Sequence, residues 1–318
     1  MIKTKDSINL KQQILNANNT LRILITKKCN SKCIYCYEEG IFNSTNNQDQ
    51  NLDLNDFKKI ILVGQSLGVS RVSISGGEPM LYYKWVEEIA KLCVKQNIFV
   101  TITSNGTYPC IIDLAKKYPS IEFRISLDCS TKKEYNYFRG IDKFDVVINT
   151  IKKLAKVSNK VHINRVVYTL DNEWREFEKM IKFLISKKLN KKNVYLKLLP
   201  AYPSSNFKEL SPSKYKQFIF KKIPEFRSKY DPIRLRYINE FNYKNVNIIF
   251  QDRGVFSSKC CPINKTRCPE GIGSTRINPN GVIQPCYGIK LNKINHNDTE
   301  KAIKTKLKAS RKFLDSLC

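Results

Sequence analysis

The run Thr26-Lys-Lys-Cys-Asn-Ser-Lys-Cys-Ile-Tyr-Cys-Tyr37 puts Cys29, Cys33 and Cys36 within eight residues, just after the strand-like stretch Leu21 to Ile25. Three thiolates on one loop can grip a single metal centre. A [4Fe–4S] cluster normally takes four cysteines, so a triad leaves one iron open to a substrate or cofactor. An open coordination position separates a catalytic metal site from a closed structural one. The competing reading, a zinc knuckle, wants paired Cys-x-x-Cys units or cysteine with histidine. No such partner lies nearby, because the only histidines are His162 and His296.

Working outward, Ser75-Gly-Gly-Glu-Pro79 directly follows the β-branched run Arg71-Val-Ser-Ile-Ser. Glycine lets another molecule approach the backbone closely, and Glu78 adds a carboxylate at the same lip. Thr103-Ser-Asn-Gly-Thr107 closes a further strand, and Arg124-Ile-Ser-Leu-Asp128 closes another. Strands are expected at Leu21–Thr26, Val72–Ser75, Phe99–Thr103, Phe123–Ser126, His162–Tyr168 and Val194–Leu198. Helical patterns fall between them, at Asp53–Gly68, Tyr83–Gln96, Ile111–Lys117, Phe144–Lys156 and Trp174–Lys187. Strands separated by helices imply parallel pairing through right-handed crossovers. The motifs then all sit at C-terminal strand ends, where barrel-type α/β enzymes place their chemistry.

From about Leu21 to about Pro200 the chain resembles the radical S-adenosylmethionine (SAM) superfamily. The branch is that of the molybdenum-cofactor GTP cyclase, the anaerobic sulfatase-maturing enzymes and the peptide-modifying enzymes. The resemblance implies a partial (β/α)6 TIM-type barrel and a [4Fe–4S] cluster on Cys29, Cys33 and Cys36, with SAM chelating the open iron. It implies that Tyr35 packs near the adenine and that Gly76, Gly77 and Glu78 hold the methionine amino group. Ser126, Asp128 and Arg139 would line the SAM pocket, with Ser104 and Asn105 beside them. Reductive cleavage of SAM would give a 5′-deoxyadenosyl radical that abstracts a substrate hydrogen. That chemistry implies an anaerobic setting and an electron donor such as flavodoxin or ferredoxin.

Further on, Cys268-Pro-Glu-Gly271 leads into a Pro279-Asn-Gly281 turn and Cys286. The turn should bring strands around Arg276–Asn278 and Val282–Gln284 together as a hairpin. The Cys-x12-Gly-x4-Cys unit resembles the opening of the SPASM or twitch domain, which carries an auxiliary iron–sulfur cluster. On that resemblance Cys268 and Cys286 are ligands of a second cluster, with Cys318 and Cys260 or Cys261 as further candidates. Only Cys318 follows Cys286, so the long later run of SPASM cysteines is missing. Four thiolates from the same set could instead hold zinc. Asp252, after the apolar strand Val246–Phe250, is a candidate general base.

The domain reading is an N-terminal extension over 1–18, a radical SAM core over 19–203, and linker helices with an auxiliary-cluster domain over 204–318. Helical patterns are expected at Ser213–Ile223 and Asp231–Phe241, after a linker at Pro203–Asn206. The chain has 318 residues and a net charge of +28, from 56 basic and 28 acidic side chains. The lysines are spread along the whole sequence rather than gathered in one stripe, and Asn and Ile are abundant, as AT-rich coding would give. No apolar stretch is long enough to span a membrane, and the polar Met1 to Asn19 lacks a signal-like core, so a cytoplasmic protein is expected. Eleven cysteines then fit a reducing interior and iron–sulfur ligation better than disulfides. Cys93, Cys110 and Cys129 read as buried small hydrophobes.

The leading functional expectation is oxidation, crosslinking or cyclisation of a peptide side chain, with a small molecule or nucleotide as the alternative substrate. A remote alternative is a zinc-binding module for nucleic acid. It would leave the Gly-Gly-Glu-Pro motif without a role.

Overall fold

The computed structural model describes residues 19–36, 51–167, 173–200, 221–222, 239–250, 274–284 and 290–316. Six parallel strands run in sequence order: β1 (Thr20–Leu24), β2 (Arg71–Ser75), β3 (Phe99–Ser104), β4 (Glu122–Ser126), β5 (Lys160–Val167) and β6 (Val194–Pro200). The helices between them are α1 (Leu54–Ser66), α2 (Tyr83–Lys95), α3 (Ile111–Lys117), α4 (Lys132–Arg139), α5 (Phe144–Val157) and α6 (Glu173–Ser186). This is the α/β architecture of a partial TIM-type barrel.

Strand parity explains the layering. Successive side chains on a strand point to opposite faces. Leu21, Ile23, Val72, Ile74, Val100, Ile102, Phe123, Ile125, Val161 and Ile163 are buried in one apolar core with helix residues such as Phe57, Ile89, Leu114 and Ile151. The alternate positions (Arg22, Ser73, Thr101, Arg124, His162, Lys197) therefore face the barrel interior. α1 starts cleanly because Asp53 and Asp56 form a reciprocal capping box. α4 starts on Thr131 and stops at Gly140, whose φ of 61° suits glycine.

The sheet is wider than the six strands expected. A hairpin of β7 (Asn239–Tyr243) and β8 (Val246–Phe250) extends it beyond β6, and β9 (Ser274–Ile277) with β10 (Ile283–Gln284) extends it beyond β1. β9 runs parallel to β1, with Arg22 opposite Arg276. β10 is antiparallel to β9, as the Pro-Asn-Gly turn predicts. The helix expected over Asp231–Phe241 is corrected at its described end, where residues 239–241 belong to β7. Pairing with β8 there overrides a local helical pattern. α4 was missed in the sequence because it is short and very polar. Of Ser213–Ile223 only residues 221–222 are described, and they are helical; the linker at Pro203–Asn206 lies outside the described residues. α7 (Glu300–Ser316) packs against α1 and β9. Among the described residues no helix is long and apolar enough to cross a membrane.

Candidate functional site

The C-terminal ends of β1 to β4 meet at the cysteine loop. Residues 25–36 carry no helix or strand of their own, so their position is set by neighbours. Ile25 N–H donates to the Ser75 carbonyl at 2.9 Å, Gly77 N–H to that of Thr26 at 2.7 Å, and Glu78 N–H to that of Lys28 at 2.8 Å. On the other side, Lys32 and Ile34 N–H groups donate to the Arg139 and Phe138 carbonyls at 3.0 and 3.1 Å. The loop is clamped between the turn after β2 and the end of α4.

The glycines of this clamp are there for contact. A Cβ on Gly77 would lie 2.2 Å from the Lys28 carbonyl oxygen, and one on Gly76 would lie 2.5 Å from that of Thr26. Gly140 would place a Cβ 2.7 Å from the Lys32 carbonyl oxygen. Glu78 is fully buried and accepts from Met80 N–H (3.0 Å), the Ser104 hydroxyl (2.8 Å) and Asn105 N–H (2.7 Å). Burial raises its pKa, although these three donors oppose the shift.

Tyr35, Asp128 and Arg139 come together across the loop. The Tyr35 hydroxyl donates to Asp128 Oδ2, and Arg139 Nη1 donates to the Tyr35 oxygen. Asp128 Oδ1 accepts from Val166 N–H at 2.9 Å, and Arg139 Nη1 stands 3.4 Å from Asp128 Oδ2. Arg165 donates to the Asp128 carbonyl at 3.1 Å and pairs with Glu173. Burial first, then the Asp128 charge, hold the Tyr35 hydroxyl well above its ordinary range, with Arg139 opposing. Ser126 sits at the end of β4, half-buried.

The cysteines suit a cluster. Cys29, Cys33 and Cys36 are free thiols. A single tetrahedral zinc would bring its sulfurs to about 3.8 Å from one another, given Zn–S bonds of about 2.3 Å. Among the described residues the only His/Cys/Asp/Glu group with all ligand atoms within 4.8 Å is Asp53, Asp56 and His296. The three cysteine sulfurs therefore do not all lie within 4.8 Å of one another, wider than the ligands of one zinc ion. Burial raises the Cys29 and Cys33 thiols, so taking up a metal centre there releases protons.

Beneath the loop the barrel interior gathers basic side chains. Lys197 and His162 are 7% and 1% exposed. Among the described residues Lys197 has no hydrogen-bond or ion-pair partner, and both His162 ring nitrogens lack one. Burial, followed by the nearby Arg124 charge, lowers Lys197 well below the usual lysine range and His162 to about 2. Glu122 is the lone carboxylate among the groups that perturb them, 3.8 Å from Arg124 and 4.0 Å from Arg71. At the β1–β9 edge a cavity of about 140 Å³ is lined by Leu24, Val282, Lys27, Arg276, Lys290 and the amides of Asn278, Asn280 and Gln284, with no carboxylate among the described residues. The sequence reading missed these interior residues. Polar side chains at matching parity inside apolar strands were the available signal.

Cys260, Cys261, Cys268, Cys286, Cys318 and Asp252 lie outside the described residues. Cys93 and Cys129 are buried, as expected of small hydrophobes, while Cys110 is half-buried at the start of α3.

Residues 23–184 match the model of the Radical SAM superfamily. The chain is 32% identical over 148 residues to a "Probable GTP 3′,8-cyclase" of Pyrococcus horikoshii, covering 46% of each chain. It is also 32% identical over 176 residues to the "GTP 3′,8-cyclase" of Petrotoga mobilis, covering 54% of this chain and 53% of that protein. The matches span about half the length of these curated relatives. In fold it resembles Streptococcus suis SuiB bound to the precursor peptide SuiA, with a TM-score of 0.66 at 20% identity over 98% of this chain and 67% of that one. A cysteine triad on the loop after β1, clamped by Gly76-Gly77-Glu78 at the mouth of a parallel α/β barrel, agrees with the sequence match: the chain belongs to the radical SAM superfamily.

Proposed function

We propose that this chain is a radical SAM enzyme acting on an anionic small molecule, with a nucleotide as the substrate class. A [4Fe–4S] cluster with SAM would supply one-electron reduction and hydrogen-atom abstraction from the substrate. Cys29, Cys33 and Cys36 would hold the cluster. Gly76, Gly77, Glu78, Ser104, Asn105, Ser126, Asp128, Arg139 and Tyr35 would frame SAM, some by direct contact and others by fixing the loop. An electron donor protein would complete the system.

The observation that carries the substrate class is the interior. Burying a cation without a partner is expensive, and Lys197 and Arg124 share one carboxylate, Glu122, among their perturbing groups. A phosphate or carboxylate entering from the mouth would supply the missing charge. The names of the relatives favour the same class over the peptide expected from the sequence. We assign residues 204–318 to linker helices and an auxiliary domain of twitch or SPASM type, with Cys268 and Cys286 as ligands of a second cluster. β7 to β10 would join that region to the core sheet.

The test is anaerobic reconstitution with iron and sulfide, then dithionite-driven cleavage of SAM with purine nucleoside triphosphates or candidate peptides added. Stimulation of 5′-deoxyadenosine by a nucleotide, lost in Lys197→Met and absent from the Cys29→Ala/Cys33→Ala/Cys36→Ala variant, is expected. Stimulation by peptides alone would return the substrate to the peptide class. No cleavage by the wild-type chain would overturn the enzyme reading.

A further inference from the structure

We propose that Asn105 is a positioning residue for the cluster, holding the cysteine loop through a closed ring of hydrogen bonds with Asn30 and Thr107. Asn105 Nδ2 donates to Asn30 Oδ1 at 2.7 Å, Asn30 Nδ2 donates to Thr107 Oγ1 at 2.9 Å, and the Thr107 hydroxyl donates to Asn105 Oδ1 at 2.7 Å. Each side chain both gives and accepts, head to tail. Such closed arrangements polarise one another and strengthen beyond their separate bonds.

The ring joins a fixed element to an unfixed one. Asn105 is 5% exposed, and its backbone N–H is held by Glu78 at 2.7 Å. Its Oδ1 also accepts from Thr107 N–H at 3.0 Å, which sets the amide's orientation, since a flipped amide would face that donor with its NH2. The next residue, Gly106, has φ +75°, and a Cβ there would meet the Ile125 side chain at 2.6 Å. The turn after β3 is therefore rigid. Asn30 lies in the loop, beside Cys29.

A second arm reaches the metal ligand itself. Asn105 Nδ2 also donates to Ser31 Oγ at 3.1 Å, and Ser31 N–H points at Cys29 Sγ at 3.4 Å. Hydrogen bonds to cluster sulfurs stabilise the more negative, reduced state and tune its potential. Asn105 also hydrogen-bonds the Cys29 thiol with its side chain, so it holds the ligand directly as well as through Asn30 and Ser31. The proposal rests on the reading that Cys29, Cys33 and Cys36 hold a cluster.

Thr107→Val breaks the ring at nearly constant volume, Thr107→Ser keeps it, and Asn105→Asp removes both donors. The measurements are amide hydrogen exchange at the hydrogen-bonded N–H groups of Ser31, Lys32 and Ile34 in the metal-free protein, iron per chain after reconstitution, and the midpoint potential of the cluster followed by EPR. Thr107→Val and Asn105→Asp should exchange roughly five- to tenfold faster at these amides, as expected for a lost hydrogen bond of about 1 kcal/mol. They should also hold less iron and titrate at a more negative potential, and Thr107→Ser should match wild type. Wild-type exchange and potential in Thr107→Val, or an equal defect in Thr107→Ser, would overturn the proposal. A wild-type chain that takes up no iron yet has a protected loop that loosens in Thr107→Val would refute the cluster reading and leave the ring's hold on the loop standing.

Discussion

Gly77→Ala puts a methyl group where the cysteine loop crosses the turn after β2. The new Cβ would lie 2.2 Å from the Lys28 carbonyl oxygen and 2.5 Å from that of Lys27, while ordinary contact begins at 3.4 Å. The obstructing atoms are backbone, so no side chain can swing away and the loop must retreat by about 1.2 Å. Overpacking of this kind costs about 1–3 kcal/mol. The retreat also stretches the bonds from Gly77 N–H to Thr26 and from Glu78 N–H to Lys28, each contributing about 0.5–1.5 kcal/mol. We expect a loss of about 2–5 kcal/mol and a fall in Tm of about 5–10 °C, together with reduced iron uptake. Gly64→Ala is the control. Its Cβ meets only side chains, Val69 at 3.3 Å and Leu21 at 3.7 Å, and alanine favours a helix interior by about 0.5–1 kcal/mol. Calorimetry of both variants, with iron counting after anaerobic reconstitution, decides the matter. If Gly77→Ala unfolds and loads like wild type, the clamp argument is wrong.

Two further perturbations probe the supports of the site. Arg165→Met leaves Glu173 buried without its partner; the two side chains are 5% and 7% exposed, so urea unfolding should report a loss of about 3–5 kcal/mol, largely recovered by Arg165→Met/Glu173→Leu. His296 Nδ1 lies 2.7 Å from Asp56 Oδ2 and ties the segment before α7 to α1; pairing with Asp56, then Asp53, raises its pKa, while Lys59 opposes. A raised histidine stabilises fully below its unfolded pKa of about 6.5, and the contribution disappears as pH climbs through the higher folded value. Wild type should therefore be more stable than His296→Ala at about pH 5.5 and equal to it at about pH 9, and equal unfolding midpoints at both would rule the pair out.

Much of the active end was legible along the chain because it is written in local spacing. Cys29, Cys33 and Cys36 fall on one loop, and Gly76-Gly77-Glu78, Ser104-Asn105 and Asp128 each follow an apolar strand. The alternation of strands and helices fixed the parallel order. The functions of individual polar residues were less legible. Gly76 and Gly77 read as a lip for a ligand, and only the fold shows that their missing side chains also make room for the carbonyls of Thr26, Lys27 and Lys28. Nothing local to Asn105 names Asn30 as its partner, 75 positions away.

The amino-acid order alone determined the cysteine triad, the six core strands and the Pro279-Asn-Gly281 hairpin, since each depends on residues within a few positions of one another. Tertiary structure decided the rest. Only folding puts β9 beside β1, closes the ring of Asn30, Asn105 and Thr107, and gathers Arg124, His162 and Lys197 from three strands into one interior. The physical reason is that strand parity assigns a side chain to a face, while register and neighbour order decide which charges must share it. Those non-local choices set the basic side chains Arg124 and Lys197 beside a single shared carboxylate, Glu122.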